Sequence, residues 1–217
     1  MKAQTKIGLV LLLLACLLLL VVGICSAAWP FDATCDVTNN LGRGGPGGSG
    51  TYLGSAGDKG FVVTCAHMFE EGQGQVTCAF PATRRWYKGT VVGIGPGDLA
   101  AIEINKPVGI KPLKVARCDP KFAPFTAVGF PSYGPKDRPC FTTGNLVSMD
   151  NGHVNTSVEF HNGYSGGTLL DRRGRLVGVT VGNDGVPGLP YMVFAKSRSV
   201  GNDTFLNFVS RWVKVYE

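Results

Sequence analysis

Short β-type runs, cut apart by turn residues and with no helical period between them, govern what this chain can fold into. A first series occupies 51–53, 61–64, 75–80, 90–94 and 99–104. A second occupies 122–130, 141–148, 154–160, 168–170, 176–181 and 191–195. Glycine (31 residues) and proline (13 residues) supply the breaks between them. Short strands at this spacing predict an all-β sandwich or barrel protein, with 105–111 (NKPVGIK) as the crossing between two halves. The clear helical pattern comes last. Over 202–216, Phe205, Phe208, Val209, Trp212, Val213 and Tyr216 fall on one face, and Asn202 or Asp203 is placed to cap it. That stripe suits packing onto a barrel. The glycine-rich stretch 42–50 (GRGGPGGSG) lacks the Gly-Lys-Ser/Thr ending of a phosphate loop and reads as a flexible lead into the first strand.

The N-terminus belongs to export rather than to the fold. Lys2 and Lys6 precede an apolar run over 7–25, and the small residues Ser26, Ala27 and Ala28 follow. A charged start, an apolar middle and a small-residue exit describe a secretory signal over 1–28. The run also reaches the roughly 17–25 residues that span a bilayer, so an uncleaved anchor is the rival reading. Either places residues from about 29 onward outside the cytosol: secreted, periplasmic, or held at a membrane through 7–25. What remains, about 190 residues, suffices for one sizeable domain or two small fused barrels.

Charge narrows the partners. The formal net charge of +6 falls to +4 without Lys2 and Lys6, and no basic block carries interleaved aromatics, so nucleic acid is not an expected partner. Past the signal stand five cysteines: Cys35, Cys65, Cys78, Cys118 and Cys140. An exported chain can keep disulfides, but an odd number leaves at least one thiol free or joined to another molecule. Cys65-x-His67 with Cys78 downstream matches no strong zinc spacing, and neither a metal nor a cofactor is expected.

The chemistry centres on a serine enclosed by glycines, Gly163-Tyr164-Ser165-Gly166-Gly167. This fits the G-x-S-x-G elbow of α/β-hydrolases and equally a G-x-S-G-G protease loop. Chain order separates them, because in elbow enzymes the acid and the histidine follow the serine. Here His67, His153 and His161 all precede Ser165, so the elbow lacks its base. A nucleophilic serine needs a base within reach, and the base needs a carboxylate to hold its tautomer. His67 follows an apolar strand in GFVVTCAHMFEEG, and Asp98 opens another in GPGDLAAIEI. Both settings put the side chain at a barrel rim. His153 and His161 read as solvated loop residues.

Four segments, in order, resemble the signposts of trypsin-like serine peptidases: Gly48-Ser49-Gly50-Thr51, Val63-Thr64-Cys65-Ala66-His67, Gly97-Asp98-Leu99-Ala100 and Gly163-Tyr164-Ser165-Gly166-Gly167. Their compact spacing is most similar to the bacterial high-temperature-requirement (Deg) type, with no PDZ domain expected after the helix. The resemblance runs from about 47 to 195. It implies a chymotrypsin-like fold of two antiparallel β-barrels, at about 47–104 and 112–200, followed by the helix. It also implies a serine endopeptidase acting on protein or peptide substrates, with His67 as base, Asp98 as orienter, Ser165 as nucleophile, and the Gly163 and Ser165 amides as oxyanion hole. Cys65 departs from the family pattern, so the trypsin disulfides are not carried over.

For specificity, the residue six before the nucleophile, Glu159, would lie at the floor of the pocket in trypsin-like folds and favour arginine or lysine. Strand alternation instead turns Glu159 outward if Val158 and Phe160 point in, leaving a small or apolar pocket bounded by Thr180, Val181 and Asn183. Two other functions fit the same sequence: a catalytically silent peptide-binding protein on this fold, and a virus-encoded processing protease.

Overall fold

The computed structural model of the chain describes residues 30–42, 45–150, 152–183 and 197–214. The segment 7–25 and the expected strand 191–195 lie outside these residues. No helix among those described is long and apolar enough to cross a membrane.

The first half is a closed barrel. Its strands are β1 (Thr34–Asn40), β2 (Gly47–Ala56), β3 (Lys59–Cys65), β4 (Gln75–Phe80), β5 (Arg85–Gly95) and β6 (Leu99–Asn105), hydrogen-bonded in the order β1-β2-β3-β6-β5-β4. β4 alternates between buried and more exposed residues, as a strand with one face on a core must, while β3 and β6 are buried along most of their length. The barrel starts at Thr34, ahead of the expected boundary near 47. β1 (TCDVTNN) escapes hydropathy patterning because it buries polar side chains, Thr34 and Asn39 among them. Asn39 is satisfied there by the Met68 and Gly72 carbonyls, at 2.8 and 2.9 Å.

The glycine-rich lead is corrected as well, since Gly47 to Gly50 belong to β2. A Cβ at Gly48 would lie 2.7 Å from the Ser165 carbonyl oxygen and 2.9 Å from the Met68 sulfur. These glycines permit close approach of the serine turn rather than flexibility.

The second half comprises β7 (Phe125–Gly129), β8 (Cys140–Gly144), β9 (Leu146–Asp150), β10 (His153–Thr156), β11 (Thr168–Leu170), β12 (Leu176–Asn183) and β13 (Ser197–Gly201). They form one antiparallel sheet in the order β8-β7-β11-β12-β13-β10-β9. Its outer strands, β8 and β9, are consecutive in sequence and separated by Asn145, so the sheet must curl. Isolated bonds draw the seam together: the Asn145 amide to Ser157 Oγ and the Ser157 amide to the Asn145 carbonyl, both 2.9 Å, and Thr142 Oγ1 to the Glu159 carbonyl, 2.6 Å. The second unit is therefore a half-barrel beside the closed first barrel, in keeping with the expected pair of antiparallel barrels. The expected strand 141–148 breaks at Asn145, just after Gly144, where a Cβ would sit 2.5 Å from the Val158 nitrogen.

The helix, α1 (Asn202–Val209), is shorter than the 202–216 expected, and Tyr216 lies outside the described residues. Its N-cap is Gly201, with no side-chain cap, and Asp203 instead reaches Arg117 at 2.7 Å. The apolar face is as read: Phe205, Phe208 and Val209 are buried, and Trp212 and Val213 pack beside them. Each fully buried side chain of this size contributes about 1.5–3 kcal/mol. Bare β5 glycines receive the rings; a Cβ at Gly93 would lie 2.9 Å from Trp212.

A line of threonine hydroxyls stitches the two halves together. Thr168 Oγ1 is 2.8 Å from Thr34 Oγ1 and 2.6 Å from Thr51 Oγ1, all three buried. All five thiols among the described residues are unpaired. Cys35 and Cys78 both lie inside the barrel, where burial and then the neighbouring Cys78 push the Cys35 thiol up.

Candidate active site

The register of two strands brings the histidine and the aspartate together. β3 pairs with β6 so that Cys65 opposes Leu99, which leaves residues 66–67 and residue 98 leaving the same end of the ladder. His67 sits on a single 3-10 turn, Ala66–Phe69, and Asp98 on the hairpin between β5 and β6. Asp98 has φ +71°, next to Gly97 at φ +72°. A left-handed backbone is uncommon outside glycine, though aspartate tolerates it best among charged residues. Here three bonds hold it. The Ala66 amide donates to the Asp98 carbonyl at 3.0 Å, and the His67 amide to Asp98 Oδ1 at 2.7 Å. His67 Nδ1 lies 2.5 Å from Asp98 Oδ2.

With the proton on Nδ1, the outer ring nitrogen is an acceptor and faces away from Asp98. The hydrogen bond to Asp98 raises the His67 pKa above the ordinary imidazole value, burial opposes that rise, and the Asp98 and Glu70 charges add to it. Both side chains are about one-third exposed, as expected at the rim of a cleft.

Ser165 is carried by a turn with two left-handed glycines, Gly163 at φ +97° and Gly166 at φ +82°. Internal bonds set its shape: Tyr164 amide to His161 carbonyl (3.0 Å), Gly167 amide to Tyr164 carbonyl (2.8 Å), and Gly166 amide to Thr180 carbonyl (2.7 Å). Thr180 Oγ1 adds a bond to the Tyr164 carbonyl at 2.6 Å. At Gly166 a Cβ would crowd the Ser49 carbonyl and Thr64 Oγ1 and lie 3.0 Å from the Cys65 nitrogen. The serine turn therefore rests on the strand that leads into His67. Among the described residues, the Gly163 and Ser165 amides donate to no backbone carbonyl, and the Ser165 hydroxyl has no hydrogen-bond partner.

Ser49 is the residue that sequence reasoning missed. It is fully buried, and each of its polar groups is committed. Its hydroxyl donates to the Gly163 carbonyl (2.7 Å) and accepts from the Phe130 amide (2.8 Å). Its amide donates to the Ser165 carbonyl (2.7 Å), and its carbonyl accepts from Thr64 Oγ1 (2.6 Å). The signal was a serine between glycines in a glycine-rich strand, GGSGTYLGSA.

The expected specificity residues occupy different settings. Glu159 is exposed between buried Val158 and Phe160, so it is a surface charge and not a buried pocket floor. Thr180 is buried and turned to the serine turn, and Val181 packs partly buried against the main core. Asn183 ends β12, and its side chain lies outside the described residues. His153 opens β10 rather than lying in a loop, and the His161 ring lies 5.9 Å from that of Tyr164. Beside the serine turn opens a cavity of about 370 Å³, lined in part by Tyr133, Cys140, Phe141, His161, Asn162 and Tyr164.

Sequence proximity misjudged the cysteines. Cys78 is remote from the site, whereas Cys65 joins His67 and Asp98, with their candidate ligand atoms all within 4.8 Å of one another. The Cys65 thiol donates to the Thr180 carbonyl at 3.2 Å, and burial, then the Asp98 charge, raise its pKa well above the ordinary thiol value.

A closed barrel and a half-barrel, with a His–Asp pair on one and a glycine-flanked serine on the other, define the chymotrypsin-like serine peptidase architecture. Residues 48–179 match the family model described as the trypsin-like peptidase domain, and the chain belongs to that family. The crystal structure of the serine endoprotease from Yersinia pestis superposes with a TM-score of 0.67 at 19% identity. That match covers 83% of this chain and 61% of the other, so this chain spans about three-fifths of that protein's length and shares its fold. No curated protein matches the sequence.

Proposed function

We propose that this protein is an exported serine endopeptidase in which Ser165 attacks the carbonyl of a peptide bond. His67 accepts the hydroxyl proton at its outer ring nitrogen and then gives it to the leaving amine. Asp98 holds the ring and stabilises the imidazolium. The acyl-enzyme is hydrolysed by water activated at the same nitrogen. The Gly163 and Ser165 amides receive the oxyanion, each such donor contributing about 2.7–4 kcal/mol in the transition state. The sequence over 1–28 carries the chain out of the cytosol.

The observation that carries this reading is the double hold of Asp98 on His67, with the serine turn docked on the same strand end. A fluorophosphonate probe tests it. The wild-type protein should be labelled covalently at Ser165, and the Ser165→Ala protein should not. A folded wild-type protein that resists the probe while binding peptides would establish the silent binding protein instead.

A further inference from the structure

The proposed reaction gives no part to the Cys65 thiol, although it lies in one cluster with His67 and Asp98. We infer that Cys65, His67 and Asp98 form an inhibitory site for a thiophilic divalent cation such as zinc, which silences the peptidase by occupying Nδ1 of His67. The inhibition, though not the binding, rests on the reading of His67 as the base.

Donor chemistry and spacing support the site. Thiolate, imidazole and carboxylate are zinc donors, with metal–ligand distances of about 2.0–2.3 Å. Tetrahedral coordination then sets neighbouring donors about 3.3–3.8 Å apart. The three donor atoms here already lie within 4.8 Å of one another, and Nδ1 and Oδ2 are 2.5 Å apart, so opening that pair and drawing in the sulfur completes the set. The Thr180 carbonyl oxygen, 3.2 Å from the sulfur, is at hand as a fourth donor.

Charge favours the exchange. With a protonated thiol and a neutral imidazole, the cluster carries the single negative charge of Asp98. On binding, the S–H bond breaks, a metal–sulfur bond forms, and one proton leaves to solvent. Thiolate, carboxylate and divalent cation then sum to zero. A partly buried, unneutralised carboxylate is thereby neutralised.

The functional consequence follows from tautomerism. A metal on Nδ1 displaces the Nδ1 proton and leaves the neutral ring protonated at its outer nitrogen. That nitrogen can no longer accept a proton from Ser165. Ser165 itself is untouched, so chelation restores activity. Magnesium and calcium, which select oxygen donors, should be inert.

The test uses the purified full-length protein with zinc chloride and cobalt chloride as probes. Zinc should slow fluorophosphonate labelling of the wild type, EDTA should reverse this, and magnesium should have no effect. Relative to each protein's own metal-free rate, Cys65→Ser and Cys65→Ala should need at least about tenfold more zinc for half-inhibition. Cobalt added to Ser165→Ala protein should give a thiolate-to-cobalt charge-transfer absorption, lost when Cys65→Ser is added. If the Cys65 variants do not fold, His67→Ala in the Ser165→Ala background should weaken cobalt binding at least as much. Equal zinc sensitivity in wild type and Cys65 variants, or no cobalt–thiolate absorption in Ser165→Ala, overturns the site. A protein that never labels yet gives the Cys65-dependent absorption keeps the site and removes the peptidase reading. One that labels but ignores zinc does the reverse.

Discussion

Asp98 grips His67 twice, taking the backbone amide on Oδ1 at 2.7 Å and the ring Nδ1 on Oδ2 at 2.5 Å. The carboxylate thus fixes where the residue sits and which nitrogen carries the proton. Asp98→Asn keeps the shape but offers an amide group where an acceptor is needed, favouring the wrong tautomer. In the reference serine-protease triad this change lowers kcat by about 10⁴-fold. A loss of that order is expected here, with KM little changed, in steady-state assays on a fluorogenic peptide.

The raised pKa of His67 sets the pH dependence of activity. The base works when neutral, so kcat/KM should rise with pH through the free-enzyme pKa of His67, at a midpoint above the ordinary imidazole value of about 6.5. The stability effect has the opposite sense. A raised folded-state pKa means that the fold favours the protonated ring. That contribution is fully present below about pH 6.5 and is lost as pH rises through the folded value. NMR titration of the His67 ring checks the direction, and a midpoint at or below 6.5 contradicts it.

Ser49 ties the oxyanion-side carbonyls of the serine turn to the first barrel. Ser49→Ala leaves the buried Phe130 amide and the Gly163 carbonyl without this partner, which should destabilise the protein by about 1–3 kcal/mol. It should also lower kcat more than it raises KM, because the amide of Gly163 loses its fixed aim. Denaturant unfolding and steady-state kinetics on the same preparation measure both effects.

Glu159 stands on the outside of the fold between two buried neighbours. Glu159→Gln should therefore leave the cleavage profile of a peptide library unchanged, and the wild-type profile should show no enrichment of arginine or lysine before the scissile bond. A basic preference that disappears in Glu159→Gln would restore the charged pocket floor.

The sequence was most legible where side-chain chemistry is local. Runs such as 75–80 and 168–170 alternate or stay apolar over a whole strand, and they coincide with β4 and β11. His67 and Asp98 stood out because each follows or opens an apolar strand at a turn, and Ser165 because glycines enclose it. β1 and β13 did not stand out, because both are rich in polar residues and hydropathy alone does not mark them as strands; in β1 the buried Thr34 is satisfied by a partner distant in sequence, Thr168. The glycines of 47–50 looked like a loop because glycine marks flexibility and close packing alike, and only the approach of Ser165 separates the two. The helix read too long because the 3.6-residue period continues through Trp212 and Val213, which pack from a turn after α1 has ended. The roles of Ser49 and Cys65 depend on contacts with residues 163–165 and 180, which no local pattern shows.

The central claim is that Ser165 is the nucleophile, and covalent labelling by a fluorophosphonate, followed by mass mapping of the adduct, tests it most directly. The wild-type protein should carry one adduct on the peptide containing Gly163-Tyr164-Ser165. Ser165→Ala should carry none, with an unchanged unfolding midpoint and peptidase activity lower by a factor on the order of 10⁶. An adduct on another serine, or undiminished hydrolysis by purified Ser165→Ala, would contradict the account.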